Sequence, residues 1–240
     1  TAEIASWREI LPWLALCISI ATPVLAWVGS EVVRRHFRAP ARPKSDPAPL
    51  FPVTILKPLC GADPGLVENL RSFLRQDHPD YEVLFSVADA RDPAVAVVRG
   101  LLAEKLAPGC RAQLIIGAES IGINPKVNNL IRSFEQASHE WVLISDSNVR
   151  AESDYLRKLL RHVDARTGLV TQIVAGTDGE GTGGLLEEVF LNSFYARNAL
   201  LAPHVGRPCV VGKCMLFRRS VIGRIDGIRG LANHLAEDFV

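Results

Sequence analysis

Residues 53–92 read VTILKPLCGADPGLVENLRSFLRQDHPDYEVLFSVADARD, and the changes of period within them decide the fold. VTIL at 53–56 is a short apolar run, Leu66, Leu70, Phe73 and Leu74 then recur at helical spacing, and YEVLFSV at 81–87 is a second strand. Asp63-Pro64, a cap residue followed by a proline suited to a first turn, marks where the intervening helix starts. The alternation continues with a helix over about 93–105, AQLII at 112–116, a helix opening near Pro125 and WVLIS at 141–145. Four strand–helix alternations predict an α/β domain with a mostly parallel sheet covered by helices on both faces. Further on, 155–163 reads as a helix, LVTQIV at 169–174 as a strand, GTDGEGTGG at 176–184 as a mobile loop and 185–200 as a helix.

Upstream of this pattern, residues 10–28 read ILPWLALCISIATPVLAWV, with no charge between Glu9 and Glu31. Such a run is long enough to cross a bilayer as a helix. Pro12 and Pro23 are tolerated in that setting, and Trp7, Trp13 and Trp27 stand near the ends where aromatic belts form. Arg34, Arg35, Arg38, Arg42 and Lys44 follow the run whereas only Arg8 precedes it, so the positive-inside bias puts the following domain on the cytoplasmic side of the membrane. A cleaved signal peptide or a buried core helix are the alternatives, but a signal peptide carries its basic residues before the apolar run. Residues 39–50, APARPKSDPAPL, hold four prolines and read as an extended tether. The expected organisation is a membrane helix at 1–31, a basic, proline-rich linker at 32–50 and the α/β domain at 51–240.

With 240 residues, 48% of them apolar, the chain can bury one full-sized core, and a net charge of +1 without a long basic segment argues against nucleic acid as a partner. Five cysteines with no CxxC pair and no closely spaced histidines make no zinc site and fit reduced thiols. Neither GxGxxG nor GxxxxGK[ST] is present, which removes dinucleotide oxidoreductases and P-loop ATPases, and the lack of GxSxG argues against a hydrolase.

In an open parallel sheet, ligands bind beyond the carboxyl ends of the strands. The strand at 53–56 delivers Lys57 there, that at 81–87 delivers Asp89 and Asp92, and that at 141–145 delivers Asp146 and Asn148. Two residues apart in extended backbone, Asp146 and Asn148 project to one side, where a carboxylate and an amide oxygen suit Mg2+ or Mn2+ bridging to a diphosphate. The same DSN also suits a turn that caps the next helix. Asp92 precedes Pro93 and suits a helix cap as well as a nucleobase contact, with Asp89 beside it. Lys126 sits at a helix start, where backbone amides and an ammonium favour phosphate, or it is an ordinary surface lysine.

The segments from KPLCG at 57–61 to ARDPA at 90–94, then IGINPKVNNL at 121–130, SDSNVRA at 145–151, GKCMLFRRSV at 212–221 and AEDF at 236–239, together resemble the ceramide glucosyltransferase family of inverting glycosyltransferases. Within that family the resemblance points to the bacterial hopanoid-biosynthesis glycosyltransferases. The resemblance implies a GT-A fold and transfer of glucose or N-acetylglucosamine from a UDP-sugar donor to a membrane lipid acceptor, ceramide or hopanoid, at the inner face of the cell membrane. It implies nucleotide-sugar contacts at Lys57, Asp89, Asp92, Lys126 and Asp146, a Mg2+ or Mn2+ site at Asp146 and Asn148, and Asp238 as the catalytic base, with Glu237 as a second acidic candidate. It also points to the helix at 185–200 and to 209–217 for acceptor choice. Two departures stand out. The family continues past its third acidic motif with (Q/R)xxRW and further membrane helices, so the chain reads as cut and is not expected to be active by itself. The metal motif is DSN where many members of the wider superfamily have DxD. Transfer to polyprenyl phosphate or to polysaccharide, and a nucleotide-binding module without turnover, are the alternative readings.

Overall fold

The computed structural model describes residues 2–38, 50–207 and 209–235 and divides into two compact units, 1–43 with 175–209 and 44–174 with 210–240.

The larger unit is the α/β layer. Its strands are β1 (Val53–Leu59), β2 (Tyr81–Val87), β3 (Cys110–Ile116), β4 (Trp141–Ile144), β5 (Leu169–Thr171) and β6 (Met215–Arg218). They form one sheet in the order β3-β2-β1-β4-β6-β5. The first four are parallel, as the strand–helix alternation predicts, and the last two run antiparallel to their neighbours. Apolar residues enter alternate faces of β1: Val53, Ile55 and Leu59 face one core with Phe73, Phe85 and Leu156, and Leu56 faces the other with Leu130, Ile144 and Phe217. Helices α2 (Leu66–Leu74), α3 (Ala94–Leu102) and α5 (Tyr155–Leu160) bury side chains in the first core, and α4 (Pro125–Gln136) with the turn Gly227–Leu231 in the second. The chain runs outward from β1 through β2 to β3, then returns through α4 to β4 on the other side of β1. This reversal is a topological switch point, and it opens a crevice between the carboxyl ends of β1 and β4.

Two boundaries differ from the sequence expectation. β1 does not stop at Leu56 but continues through Lys57-Pro58-Leu59 beside Phe85-Ser86-Val87. A proline is tolerated there because β4 ends at Ile144, opposite Leu56, so β1 has a partner strand on one side alone. Helix α2 starts at Leu66 rather than at Asp63-Pro64, after Gly65 in the left-handed region and a turn in which the Leu66 amide reaches the Asp63 carbonyl at 3.1 Å.

The smaller unit joins the N-terminal helix α1 (Ala2–Arg38) to the segment 175–209. Helix α1 runs through Pro12 and Pro23 and continues past 31, where Glu31 pairs with Arg34 and Arg35, three and four residues further on and so on the same helix face, the latter at 2.8 Å. Residues 39–49 of the expected tether lie outside the described residues. The stretch from Glu9 to His36 is long and apolar enough to span a bilayer, and none of its apolar window is buried. Helix α6 (Gly181–Phe190) passes through a π turn (Leu191–Tyr195) into α7 (Ala196–Leu201). Hydrogen bonds tie the glycine-rich loop before α6 to the helical segment: Asn192 bonds both the amide and the carbonyl of Gly176, and the Gly179 amide donates to Glu188.

Candidate functional site

Asp146 lies two residues past β4, on the side of the sheet where β1 and β4 diverge. Its carboxylate meets the Lys126 ammonium at 2.8 Å, and Lys213 approaches its other oxygen at 3.9 Å. Lys213 also donates to Asn148 Oδ1 at 3.0 Å. The common orientation of Asp146 and Asn148 therefore holds, although its cause is a turn, closed by the Val149 amide on the Asp146 carbonyl at 3.3 Å, and not extended backbone. DSN is thus a turn and an oxygen-bearing pair at once; the cap position of α5 is Asp154.

Beneath this turn lies Lys57. It is fully buried, its Nζ donates to the Asp146 carbonyl and to Ser145 Oγ, and it sits 3.8 Å from the centroid of Phe73. Burial pulls its pKa down to about 7, against the opposing pull of the Asp146 carboxylate. Because β1 continues past it, the Lys57 side chain faces the first core and supports the Asp146 turn from below. Tyr155 and Cys214 complete this buried layer, with 2.8 Å between the Tyr155 hydroxyl and Cys214 Sγ.

Helix α4 positions Lys126. Asn124 caps it, with Oδ1 accepting from the amides of Lys126 at 3.0 Å and Val127 at 3.1 Å, and Pro125 occupies the first turn. The rest of the NPKVNNL segment fixes the same corner. Asn129 donates to the carbonyls of Leu59 and Ser86, joining the ends of β1 and β2, and Asn128 bonds the loop at Gly122. Asn124 also binds a distant segment, its amide donating to Ala232 at 2.9 Å and its Nδ2 to the His234 carbonyl at 2.7 Å. That segment leads into Glu237 and Asp238, which lie outside the described residues.

Asp92 and Asp89 differ in role. Both oxygens of Asp92 accept from the Gly61 amide, at 3.1 and 2.9 Å, and one from the Ala94 amide at 2.8 Å, so it ties the loop after β1 to the first turn of α3. Asp92 stands one residue before Pro93, the cap position of α3. Asp89 is exposed and pairs with Arg91 at 2.9 Å, which holds its carboxyl below the usual carboxylate range.

As a cation site, Asp146 and Asn148 offer one carboxylate and one amide oxygen, and among the described residues no three histidine, cysteine or acidic side chains form a metal cage. That donor set fits Mg2+ or Mn2+, which keep most of their shell for water and phosphate oxygens, and does not fit a zinc or calcium cage. The lysines at 126 and 213 supply the complementary charge for a diphosphate. An apolar cavity of about 210 Å3 lies among Val127, Ile144, Met215 and Phe217, and no charged side chain lines it to meet a diphosphate.

Sequence reasoning missed Lys213 and Asn124. Lys213 belongs to GKCMLF, and its signal is topological: β6 starts where β4 ends, with Met215 opposite Ile144, so the residues just before it cross beside Ser145 and Asp146. For Asn124 the Asn-Pro pair ahead of α4 is a readable cap signal.

The family model described as Glycosyl transferase family 21 matches residues 12–240. Over 199 residues the chain is 31% identical to ceramide glucosyltransferase 1 of Caenorhabditis elegans, a match covering 82% of this chain and 42% of the relative. Over 242 residues it is 30% identical to the ceramide glucosyltransferase of Komagataella phaffii, covering 88% and 46%. The chain thus spans less than half the length of these curated relatives. Among solved structures, the mannosyltransferase PcManGT from Pyrobaculum calidifontis, in complex with GDP-Man and Mn2+, matches with a TM-score of 0.57 at 20% identity over 89% of this chain and 57% of that one. The fold is therefore that of the GT-A glycosyltransferases.

Proposed function

The chain belongs to glycosyl transferase family 21, and on that premise we propose that it moves glucose or N-acetylglucosamine from a UDP-sugar to the hydroxyl of a ceramide- or hopanoid-type lipid at the cytoplasmic face of the cell's inner membrane. The observation that carries this reading is the Lys126–Asp146–Lys213 cluster at the switch point. A carboxylate between two ammoniums on a GT-A sheet is chemistry for a metal-bound diphosphate. The relatives named ceramide glucosyltransferase support the lipid acceptor, the apolar α1 supports attachment to the membrane, and the basic residues after it support the cytoplasmic side.

On this reading the lipid oxygen forms its bond to the anomeric carbon as the bond to the diphosphate oxygen breaks, in one in-line step that inverts configuration. Asp238 accepts the hydroxyl proton, where placement matters more than basicity. His234, four residues before it, is held on Asn124, two residues before Lys126. Lys126 and Lys213 face the negative charge that gathers on the departing UDP. Asp146, with Asn148 as second donor, would hold a Mg2+ or Mn2+ ion, which would supply Lewis acidity toward the same diphosphate. Asp92, which orders the loop after β1 through Gly61, and the exposed Asp89 would contact the nucleotide part of the donor.

Titration calorimetry of the membrane-embedded protein with UDP and Mn2+ tests the site. Binding is expected for the wild type and a loss of at least about a hundredfold for Asp146→Ala; no binding by the wild type, or equal binding by the variant, refutes it. Incubation with UDP-glucose or UDP-N-acetylglucosamine and ceramide, hopanoid alcohol, polyprenyl phosphate or a soluble polysaccharide then identifies the acceptor. Binding without transfer to any of these would mark a nucleotide-binding module.

A further inference from the structure

Helix α6, the π turn and α7 form a continuous helical segment with an unusual surface. Leu185, Leu186, Val189, Phe190 and Phe194 are between 49 and 66% exposed. Their spacing places them on one broad face, and the wide π turn brings Phe194 onto Phe190 as a stacked pair with centroids 5.4 Å apart. Across 181–201 the charged residues are Glu187, Glu188 and Arg197, and Glu188 is engaged with the Gly179 amide. A helix this apolar is either enclosed by protein or dissolved in lipid.

What adjoins this face decides between the two. Within the smaller unit α7 packs on α1 at Gly29, which is buried; a Cβ there would stand 2.9 Å from Arg197 Cδ and 3.3 Å from Leu201 Cδ1, so glycine is what permits the approach. Leu201 lies seven residues on from Phe194, and the exposed row therefore leads into the α1 contact. The contact also fixes a depth. On one side of Gly29 lies the exposed apolar surface of α1, including Leu25 and Trp27, and on the other come Arg34, Arg35 and Arg38. That transition is the level at which a spanning helix leaves hydrocarbon for water.

We infer that the segment Gly181–Leu201 is a second membrane element, a helix lying at the bilayer boundary beside α1 with Leu185, Leu186, Val189, Phe190 and Phe194 immersed in the lipid acyl chains. The inference rests on reading α1 as a membrane span and is independent of the catalytic reading. The occupant is lipid because the row is continuous with the apolar surface of α1, which lipid already covers on that reading. An element of this kind holds a long apolar surface at the depth where a lipid hydroxyl is presented.

The test uses the full chain in phospholipid nanodiscs, with an environment-sensitive fluorescent amino acid placed singly at 186, 190 or 194, at 187 on the same helix, at 24 in α1 and at 166 in the α/β unit. Brominated phospholipids are expected to quench the probe at 186, 190 and 194 about as strongly as at 24, and roughly fivefold more than at 187 or 166. In the unsubstituted chain, a diazirine-bearing phospholipid is expected to cross-link within 185–194. Quenching at 24 without quenching at 186, 190 and 194 overturns the inference and leaves the α1 anchor standing; no quenching at 24 overturns both. Protection of the three positions from aqueous iodide without quenching by brominated lipid means that protein covers the face, and this too overturns the inference.

Discussion

Lys57→Met replaces a charge enclosed on every side with an apolar side chain of similar length. In the wild type, burial lowers the Lys57 pKa from 10.5 to about 7. Between those values the unfolded chain holds a proton that the native state has released, so wild-type stability rises with pH at about 1.4 kcal/mol per pH unit. Below about pH 7 both states are protonated, and the full cost of the buried ammonium, roughly 5 kcal/mol over the whole window, is carried by the fold. The methionine variant has no such slope. Its Tm relative to wild type should therefore fall steadily from pH 7 to pH 9, a relative change of roughly 2–3 kcal/mol or about 5–10 °C. The lost hydrogen bonds to Asp146 and Ser145 shift the two curves by a constant and do not affect this slope. Thermal unfolding in detergent micelles, followed by circular dichroism at several pH values, reads it directly. Parallel curves for the two proteins between pH 7 and 9 would refute the assignment of a depressed pKa to Lys57, and with it the picture of a desolvated ammonium under the Asp146 turn.

At the other end of the sheet, burial of Glu82 opposes its ionisation, but hydrogen bonds from Thr54 at 2.5 Å and from the Ser138 amide at 2.6 Å outweigh it and hold the carboxyl below its ordinary value of 4.5. The stability it contributes is present above that value and is lost as pH falls through the lower native one; Glu82→Gln should cost about 2 kcal/mol at pH 7 and flatten the acid limb of unfolding measured by tryptophan fluorescence. Gly122→Ala would place a Cβ 2.2 Å from the Ala232 carbonyl oxygen, and should lower stability by about 1–3 kcal/mol in a thermal melt. Lys126→Ala is expected to weaken UDP binding roughly tenfold in calorimetry while Lys126→Arg retains most of it, since the site needs a cation at that place.

The four parallel strands and their helices are legible because apolar runs alternate regularly with helical spacing, as in YEVLFSV after the Leu66, Leu70, Phe73 series. Asp146 and Lys126 are legible for a related reason: both follow directly from where a strand ends or a helix begins, and the structure brings them to 2.8 Å. The end of β1 misleads because a lysine followed by a proline looks like the end of a strand, and the early stop of β4 at Ile144 is what lets β1 run on through Pro58. β6 is four residues long and its antiparallel pairing is set by tertiary contacts, so neither it nor Lys213 announces itself in local pattern. The continuation of α1 to Arg38 hides behind an expected linker, although the Glu31 to Arg35 spacing is that of a helical pair. The π turn at Leu191–Tyr195 has no sequence signal that we recognise.

The antiparallel arrival of β6 has a consequence for biogenesis. Pairing Ile144 with Met215 closes a long excursion of chain, and Lys213 reaches Asp146 only once that closure is made. During synthesis the four parallel strands are complete well before this lysine leaves the ribosome, so a nascent polypeptide carries the crevice floor without the cation on its far wall. Non-local strand pairing is slow. On the proposed function, the intermediate between emergence and closure is a folded layer that lacks one of the two lysines at the diphosphate site, and full nucleotide affinity is a late marker of maturation rather than an early one.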